Sequence, residues 1–322
     1  MKFIVALVSV VSACALAKQT AAQNYPDRPL RVICPFPPGG SSDFGARILA
    51  QHLPGLLKQT VVIDNRGGAG GNIGTEIAAK AAPDGYTLLV TSEGPITVSP
   101  SLYPKLPYSP ARDLIAVTQF IKYTHLVVLH PAVKANSIKE LMALAKAQGG
   151  KLSYAHPGVG TSNHLAVEAF KLMTNTDIIS VSYKGGGPAI VSVVGGETQV
   201  SFATAPSAIP QVKAGRLRAI AVTAGKRSSV LPDLPTIAES GVPGYAIEGW
   251  VGLLAPAKTP APIIQRLYNE TVKIMRMPEV RDVVASGGSE VAFTTPNETQ
   301  GLLRDEGAMW QKVISKLGIK GE

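Results

Sequence analysis

The chain has 322 residues, with 31 Lys+Arg against 22 Asp+Glu, a formal net charge of +9, and 45% hydrophobic residues. That apolar share excludes a disordered or acidic tail protein; two cysteines exclude a disulfide scaffold, and no Gly recurs every third residue as collagen requires. Gly (32) and Pro (25) together make up about 18% of the residues, above a usual ~12%, and the length fits two domains of ordinary size.

Residues 1–22 read as an export signal that would deliver the chain to the periplasm. Lys2 is a minimal positive region, residues 3–11 (FIVALVSVV) are the apolar core, and Ala15-Leu16-Ala17 and Thr20-Ala21-Ala22 are small-residue cleavage sites. The apolar run is too short to span a bilayer as a helix. An alternative is a lipobox at Val11-Ser12-Ala13-Cys14, in which a lipid on Cys14 would tether the same domain to a membrane. Cleavage after Ala22 removes Lys2 and Lys18 and lowers the charge to about +7. Cys34 is then the only thiol; it lies in an apolar strand run and reads as a small buried hydrophobe.

From residue 25 onward, short apolar strands alternate with amphipathic helices. Residues 30–34 read as a strand, and residues 44–57 as a helix with Ile48, Leu49, His52 and Leu53 on one stripe. A strand at 60–63, a short helix at 74–82 and strands at 87–91 and 126–129 follow. Ser137, with Glu140 three residues on, is a capping box that opens the next helix. Strands are expected at 152–155, 178–181, 199–202 and 218–222, with helices at 163–172 and 187–194. Thr259-Pro260 opens a helix with Ile263, Ile264 and Leu267 on one face. Beyond Gly287-Gly288 and a short strand at 290–293, Thr295-Pro296-Asn297-Glu298 forms a second capping box. Its helix runs through Trp310, Val313, Ile314 and Leu317. The alternation implies an α/β fold of mostly parallel sheets flanked by helices. Crossings near 125–130 and 246–254 would make residues 25–125 and 247–322 one discontinuous domain and 126–246 the other. Two crossings leave a hinge and a cleft between the domains.

The chemistry is expected in the strand-to-helix loops. The first strand ends in Pro35-Phe36-Pro37-Pro38-Gly39-Gly40-Ser41-Ser42-Asp43, directly before a helix whose first turn offers unpaired N–H donors. It is equally readable as a Pro/Gly turn with a Ser or Asp cap. No Gly-Lys-Ser/Thr and no dinucleotide fingerprint follows, which argues against a nucleotide enzyme. A second glycine run spans residues 67–74. The third loop, Tyr154-Ala155-His156-Pro157-Gly158-Val159-Gly160-Thr161-Ser162-Asn163-His164, brings Thr161 and Ser162 to a helix start, as anion donors or as caps. The fourth is Tyr183-Lys184-Gly185-Gly186-Gly187-Pro188, where Lys184 either neutralises a ligand or sits on the surface. In parallel sheets such loops gather at the carboxyl ends of the strands, where ligands bind. A cleft lined by N–H groups and hydroxyls suits a small carboxylate held by neutral donors.

Signals for catalysis are weak. Cys34 has no evident base, no serine sits in a G-x-S-x-G elbow, and His125 and His130 lack metal-ligand spacing, so no metal or other cofactor is expected. A lone histidine more often fills a structural role; His164, beside a ligand loop, carries more weight. Positive charge is dispersed along the chain without an Arg/Lys block, which argues against a nucleic-acid partner.

These loops carry a family resemblance. Tyr25-Pro26-Asp27-Arg28-Pro29-Leu30, the first loop with Ala46-Arg47, and Asn65-Arg66-Gly67-Gly68-Ala69-Gly70-Gly71-Asn72-Ile73-Gly74 resemble the Bug family of extracytoplasmic solute receptors. So do Pro83-Asp84-Gly85-Tyr86-Thr87-Leu88, Tyr183-Lys184-Gly185-Gly186-Gly187-Pro188-Ala189 and Gly249-Trp250-Val251-Gly252-Leu253-Leu254-Ala255-Pro256. The family is similar to the binding component of tripartite tricarboxylate transporters. The resemblance covers nearly all of the chain after residue 25. It implies a two-domain periplasmic binding protein, type II-like and of Venus-flytrap form, that is not an enzyme. It also implies a small organic carboxylate ligand, such as a di- or tricarboxylate or an aromatic acid.

By position the first-loop ligand residues would be Phe36, Pro38, Gly39, Ser42 and Asp43, the last more suited to holding a water or capping the helix. In the second domain they would be Gly158, Gly160, Thr161, Ser162 and His164, with Thr161 and Ser162 holding the distal carboxylate. Three departures are notable. Ser92-Glu93 stands where relatives often carry small or hydroxyl residues, His156 replaces a small polar residue, and Phe202-Ala203-Thr204-Ala205 lacks an Asp associated with a ligand amino group. Ser92, Glu93, His156 and Thr204 thus join Lys184 as further candidates.

The reading that follows is a receptor that captures its ligand by domain closure and presents it to a membrane permease of two subunits, or to a sensor protein. The competing reading is a secreted α/β hydrolase or isomerase acting on a small carboxylic acid. A structural or adhesive protein is a third class, which would lack a ligand-sized cleft.

Overall fold

A computed structural model describes residues 25–319; the expected export signal at residues 1–22 and the lipobox alternative at Cys14 lie outside the described residues. The strands are β1 (Leu30–Cys34), β2 (Val61–Asn65), β3 (Thr87–Thr91), β4 (Leu114–Leu129), β5 (Ser153–His156), β6 (Ile179–Ser182), β7 (Val200–Thr204), β8 (Arg218–Val222), β9 (Glu248–Pro256) and β10 (Ser289–Val291). The helices are α1 (Ser41–Leu57), α2 (Asn72–Ala79), α3 (Ser99–Leu102), α4 (Pro110–Asp113), α5 (Ile138–Gln148), α6 (Ser162–Thr174), α7 (Gly186–Val194), α8 (Ala205–Lys213), α9 (Ala261–Arg276), α10 (Pro278–Ser286) and α11 (Pro296–Leu317).

The strands form one curled sheet in the order β2-β1-β3-β9-β4-β7-β5-β6, with β8 and β10 also pairing β4. The outer ladders, β1 with β2 and β3 and β5 with β6 and β7, are parallel. The central ladders are antiparallel because β4 and β9 run back through the molecule. Strand β4 changes partners midway. It pairs β9 from Leu114↔Pro256 to Thr124↔Glu248, and from His125↔Thr204 onward it pairs β7 and β8. The sheet therefore has two halves joined by one strand.

Each half is covered on both faces. In the first, Leu30, Val32, Leu49, Leu53, Phe120 and Leu267 pack beneath α1 and α9, while Ile33, Leu89 and Leu254 meet the opposite face. In the second, Tyr154, Phe170, Phe202 and Tyr245 fill one face, and Leu126, Val128 and Ile190 the other. A small cluster of Val98, Leu102, Leu165, Trp310 and Ile314 brings α6 of the second half against α11 of the first. Cys34 is fully buried, and burial pushes its thiol up to about 12, as a small core hydrophobe.

Several elements differ from the expected ones. Strand β4 was expected only at 126–129, yet all its residues except Ile115 and Lys122 are buried. Burial on both faces removes the polar–apolar alternation that marks a strand. Strand β9 carries Gly249 and Gly252 and is buried on both faces for the same reason. Helix α8 carries Pro206 in its first turn, where proline is tolerated, but also Pro210 in its interior, a residue that argues against a helix, and α10 begins at Pro278, directly after α9. The Thr295 capping box is complete. At Ser137 only one arm forms: its hydroxyl accepts from Glu140 N–H, while the Glu140 carboxylate accepts from Asn136 N–H instead.

Gly74 tests the packing between α2 and the first loop. Alanine is intrinsically better in a helix by ~1 kcal/mol. A Cβ at Gly74, however, would lie 2.6 Å from the Arg66 carbonyl oxygen and 2.7 Å from Pro35 Cα, and backbone cannot yield cheaply. Gly74→Ala is expected to lower the unfolding free energy by about 1–3 kcal/mol. Gly55→Ala in α1, where nothing lies within 4 Å, should raise it by ~0.5–1 kcal/mol. Urea denaturation checks the opposite signs.

Candidate binding site

Where β4 passes between the halves, a cavity of about 30 Å³ lies at the carboxyl ends of β1, β3, β5 and β7. The first half contributes Phe36, Gly40, Ser41, Ser42, Ser92 and Tyr123 to its wall. Pro157, Thr161, Ser162, Asn163, Gly186 and Thr204 come from the second. Ser41 and Ser42 open α1, Ser162 and Asn163 open α6, Gly186 opens α7, and Thr204 is the N-cap of α8. Four helix N-termini thus converge on one small space. Their first-turn N–H groups have no partner within the helix and carry positive partial charge.

The first loop is held from behind. Asp43 accepts from Gly39 N–H at 3.0 Å, from Arg47 Nε at 2.8 Å and from Asn65 Nδ2 at 3.1 Å. Its carboxylate is spent on the loop and on Arg47, away from the cavity wall. The Ser42 hydroxyl is fully buried, lines the cavity and has no hydrogen-bond partner in the protein. A buried polar atom without a partner is costly, and this one has its hydroxyl proton free to donate into the cavity.

The floor is built on β4. Tyr123 Oη donates to Glu93 Oε1 at 3.3 Å, and the Trp250 backbone N–H donates to Glu93 Oε2 at 3.2 Å. Glu93 lies beneath Tyr123 and is buried. Burial first, and the nearby Glu306 second, raise its carboxyl to about 7. Glu306 is itself raised by burial and accepts from Trp250 Nε1 at 2.8 Å. Ser162 Oγ stands 2.8 Å from His125 Nε2. That is the spacing of a nucleophile and a base, but the other side of the imidazole meets Thr223 rather than a carboxylate. Burial also drops His125 to about 3, which leaves it a poor base.

The second-half loop is held by two imidazoles. Gly158 N–H donates to His156 Nδ1 at 3.2 Å and Gly160 N–H to His164 Nδ1 at 3.4 Å. The two rings lie tilted at 40° with centroids 4.6 Å apart, and His156 Nε2 contacts Ser180 Oγ at 2.9 Å. Burial lowers His156 to about 3, with His164 adding to the effect, and lowers His164 to about 4. Both nitrogens that accept from the loop must stay unprotonated.

The glycines of these loops meet across the cleft. An added Cβ at Gly187 would lie 2.6 Å from the Pro38 carbonyl oxygen, one at Gly185 2.6 Å from Pro37 Cδ, and one at Gly70 2.6 Å from the Val159 carbonyl oxygen. They let backbone close on backbone.

Of the expected residues, Phe36, Ser42, Ser92, Thr161, Ser162 and Thr204 lie in the wall. Pro38 and Gly39 form the rim against Gly187. Asp43, Glu93, His156 and His164 stand behind the wall, and the N–H groups of Gly158 and Gly160 are engaged by the imidazoles. Lys184 is exposed. The Thr161 hydroxyl donates to Gly158 O at 2.7 Å, so toward the cavity it is an acceptor. Gly40, Ser41, Tyr123, Pro157, Asn163 and Gly186 of the wall were not anticipated. The hydroxyl run Ser41-Ser42 was a visible signal; Tyr123 had none, because its strand was not recognised. A wider groove of about 390 Å³ lies between Ile96, Leu114, Leu303 and Arg304. It lacks the convergence of helix ends. Among the described residues no cluster of His, Cys, Asp and Glu suits a metal, and no helix is long and apolar enough to cross a membrane.

Comparison with known proteins places this geometry. Residues 45–319 match the tripartite tricarboxylate transporter family receptor. BugT of Bordetella pertussis is 37% identical over 311 residues, covering 96% of this chain and 95% of BugT. A structure described as a periplasmic transporter superposes with a TM-score of 0.89 at 38% identity, covering 92% of this chain and all of the other. Rpa4515 of R. palustris with adipate gives 0.89 at 33% identity, covering 92% and 99% of the two chains. MatC from Rhodopseudomonas palustris with bound malate gives 0.85 at 29%, covering 90% and 100%.

The buried groups dictate a pH dependence of stability. Unfolded histidines take up a proton near pH 6.5, but folded His125, His156 and His164 refuse it until about 3, 3 and 4. Their contribution is whole above pH 6.5 and is lost as pH falls. Glu93 has the opposite sign: folded, it keeps its proton up to about 7, so its contribution is lost as pH rises from about 4.5 to 7. Between pH 4.5 and 6.5 it offsets part of the histidine loss; below that the histidines act unopposed. Urea midpoints should fall as pH drops below about 6.5, and more steeply below about 4.5. His156→Asn should relieve up to about 1.4 kcal/mol per pH unit of the slope.

Proposed function

The chain belongs to the tripartite tricarboxylate transporter receptor family, and from that membership we propose that it captures a small dicarboxylate in its cleft and delivers it to a membrane permease of two subunits. Receptors of this family bind solutes without transforming them, and the chain is a solute-binding receptor of the periplasmic type, not an enzyme. The observation that carries the carboxylate assignment is the convergence of α1, α6, α7 and α8 on a cavity that also holds the unpartnered Ser42 hydroxyl. Helix N-termini stabilise anions through N–H donors and their dipoles. Neutral donors satisfy a carboxylate yet allow its release, which a buried Arg or Lys clamp would hinder.

In this reading one carboxylate sits at the start of α1, on Ser42 and the first-turn N–H groups. The other sits at the start of α6, near Ser162. Phe36 and Thr204 set the walls. Adipate in Rpa4515 and malate in MatC favour a dicarboxylate of similar length. Residues 25–124 with 248–319 act as one body and 125–247 as the other. They turn about Thr124/His125 and Ile247/Glu248, where the chain changes partner strands. The cavity of about 30 Å³ holds little more than a water or two, so a ligand enters when the halves part and shifts the population toward a closed form around it. Export through residues 1–22 would place this cycle in the periplasm.

A thermal-shift screen of organic acids, including adipate, malate, citrate and benzoate, tests the assignment. One or a few dicarboxylates should raise Tm in a concentration-dependent way; if no acid does so, the carboxylate assignment fails. Ser42→Ala should weaken that acid about 10–100-fold. Gly187→Ala isolates closure, since its Cβ meets Pro38 only when the halves are shut. It should weaken binding by at least about tenfold. Unaltered affinity would count against closure on the glycine rims.

A further inference from the structure

Glu93 is a buried carboxylate directly under a cavity built to receive another carboxylate. The groups that face it come from every element packed around it. Tyr123 of β4 donates to it, the Trp250 backbone N–H of β9 holds its second oxygen, and Glu306 of α11 lies behind it. Ser162, at the start of α6, reaches it from the other half and also meets His125. Tyr123 is in turn within reach of the Ser41 and Ser162 hydroxyls.

Two anions cannot share these donors. With Glu93 ionised, it is an acceptor only, so the Tyr123 and Ser162 protons turn toward it and away from the cavity. Its charge also opposes a ligand carboxylate a few ångströms away, in a medium that screens poorly. Trp250 N–H occupies Oε2, which leaves Oε1 as the place for a proton. A protonated Oε1–H donates to Tyr123 Oη, and the phenol proton is then free to point into the cavity.

We propose that Glu93 is a positioning residue that takes up one proton when a carboxylate binds, and so turns the Tyr123 and Ser162 hydroxyls from internal partners into ligand donors. This rests on the carboxylate reading of the cleft. The proton comes from solvent, forms the Oε1–H bond and returns to solvent when the ligand leaves; no other bond is made or broken. Burial, which already brings the Glu93 carboxyl to about 7 in the free protein, places the exchange in the neutral range. Affinity should then weaken as pH rises above about 7, approaching tenfold per pH unit while free Glu93 is ionised and bound Glu93 is not.

Titration calorimetry with straight-chain dicarboxylates from oxalate to suberate, in buffers of different ionisation enthalpy, tests this on the wild-type protein. Proton uptake should approach about one per ligand near pH 8 and decline toward zero below about pH 6. Glu93→Gln keeps the shape without the charge. It should take up no proton, lose the pH dependence and bind as well as or better than wild type near pH 8. If an acid binds wild type near pH 8 without proton uptake, or if Glu93→Gln binds more than about tenfold weaker at that pH, the inference fails while the receptor reading stands. If no acid in the series binds at any pH, the dicarboxylate reading and the inference fall together. The wild-type measurement decides the matter even if the variant does not fold.

Discussion

The whole arrangement depends on β4 being shared by two sheet halves. Its antiparallel ladder to β9 ends at Thr124↔Glu248, and its ladder to β7 starts at His125↔Thr204. An unbroken strand keeps the two halves in one curled sheet, and the parallel strands of each half then aim their carboxyl ends at the same line. Tyr123 and His125, two residues apart, fall on one face of the strand and touch edge to face at 5.5 Å between centroids. The floor of the cleft is thus made at the changeover itself, where the chain can bend with least loss of hydrogen bonding.

The electrostatics of the cleft run against the overall composition. The chain is cationic, yet no Lys or Arg lines the cavity wall, and Arg47, one turn along α1 from it, is bound to Asp43. Positive potential there comes from helix ends. Beneath them lie Glu93 and Glu306, both raised by burial. Surface ion pairs such as Arg28–Asp84 and Arg227–Glu239 are half exposed and contribute little. The net charge acts at long range, by gathering anions around the protein.

Glycine and proline give the cleft its rim. Gly-rich loops before helices suggest phosphate binding, but here Gly70, Gly185 and Gly187 approach Val159, Pro37 and Pro38 of the facing half. Side chains at those points would hold the halves apart. The histidines stand one layer further back. By accepting from Gly158 and Gly160 they fix a loop that would otherwise carry unsatisfied N–H groups. This division of labour, with donors in front and fixers behind, fits a receptor that must bind tightly enough to close and loosely enough to release.

Local chemistry determined much that was legible from sequence alone. Amphipathic periodicity marked α1 and α11, the Thr295 capping box marked a helix start, and strand–glycine–helix spacing marked the cleft loops after β1, β5 and β6 but not those after β3 and β7. Those signals are contacts within a few residues, so they are written in consecutive letters. The tertiary structure decided the rest. Strands β4 and β9 lack alternation because both faces are covered, and α8 tolerates Pro210 in its interior. Whether a loop residue faces the ligand or props the loop depends on partners far along the chain, as with Asp43 on Asn65, His125 on Ser162 and Glu93 on Tyr123 and Trp250. Motif letters place such residues near the cleft. Only the packing of distant strands sets which way each side chain turns, how deeply it is buried and therefore which proton it keeps.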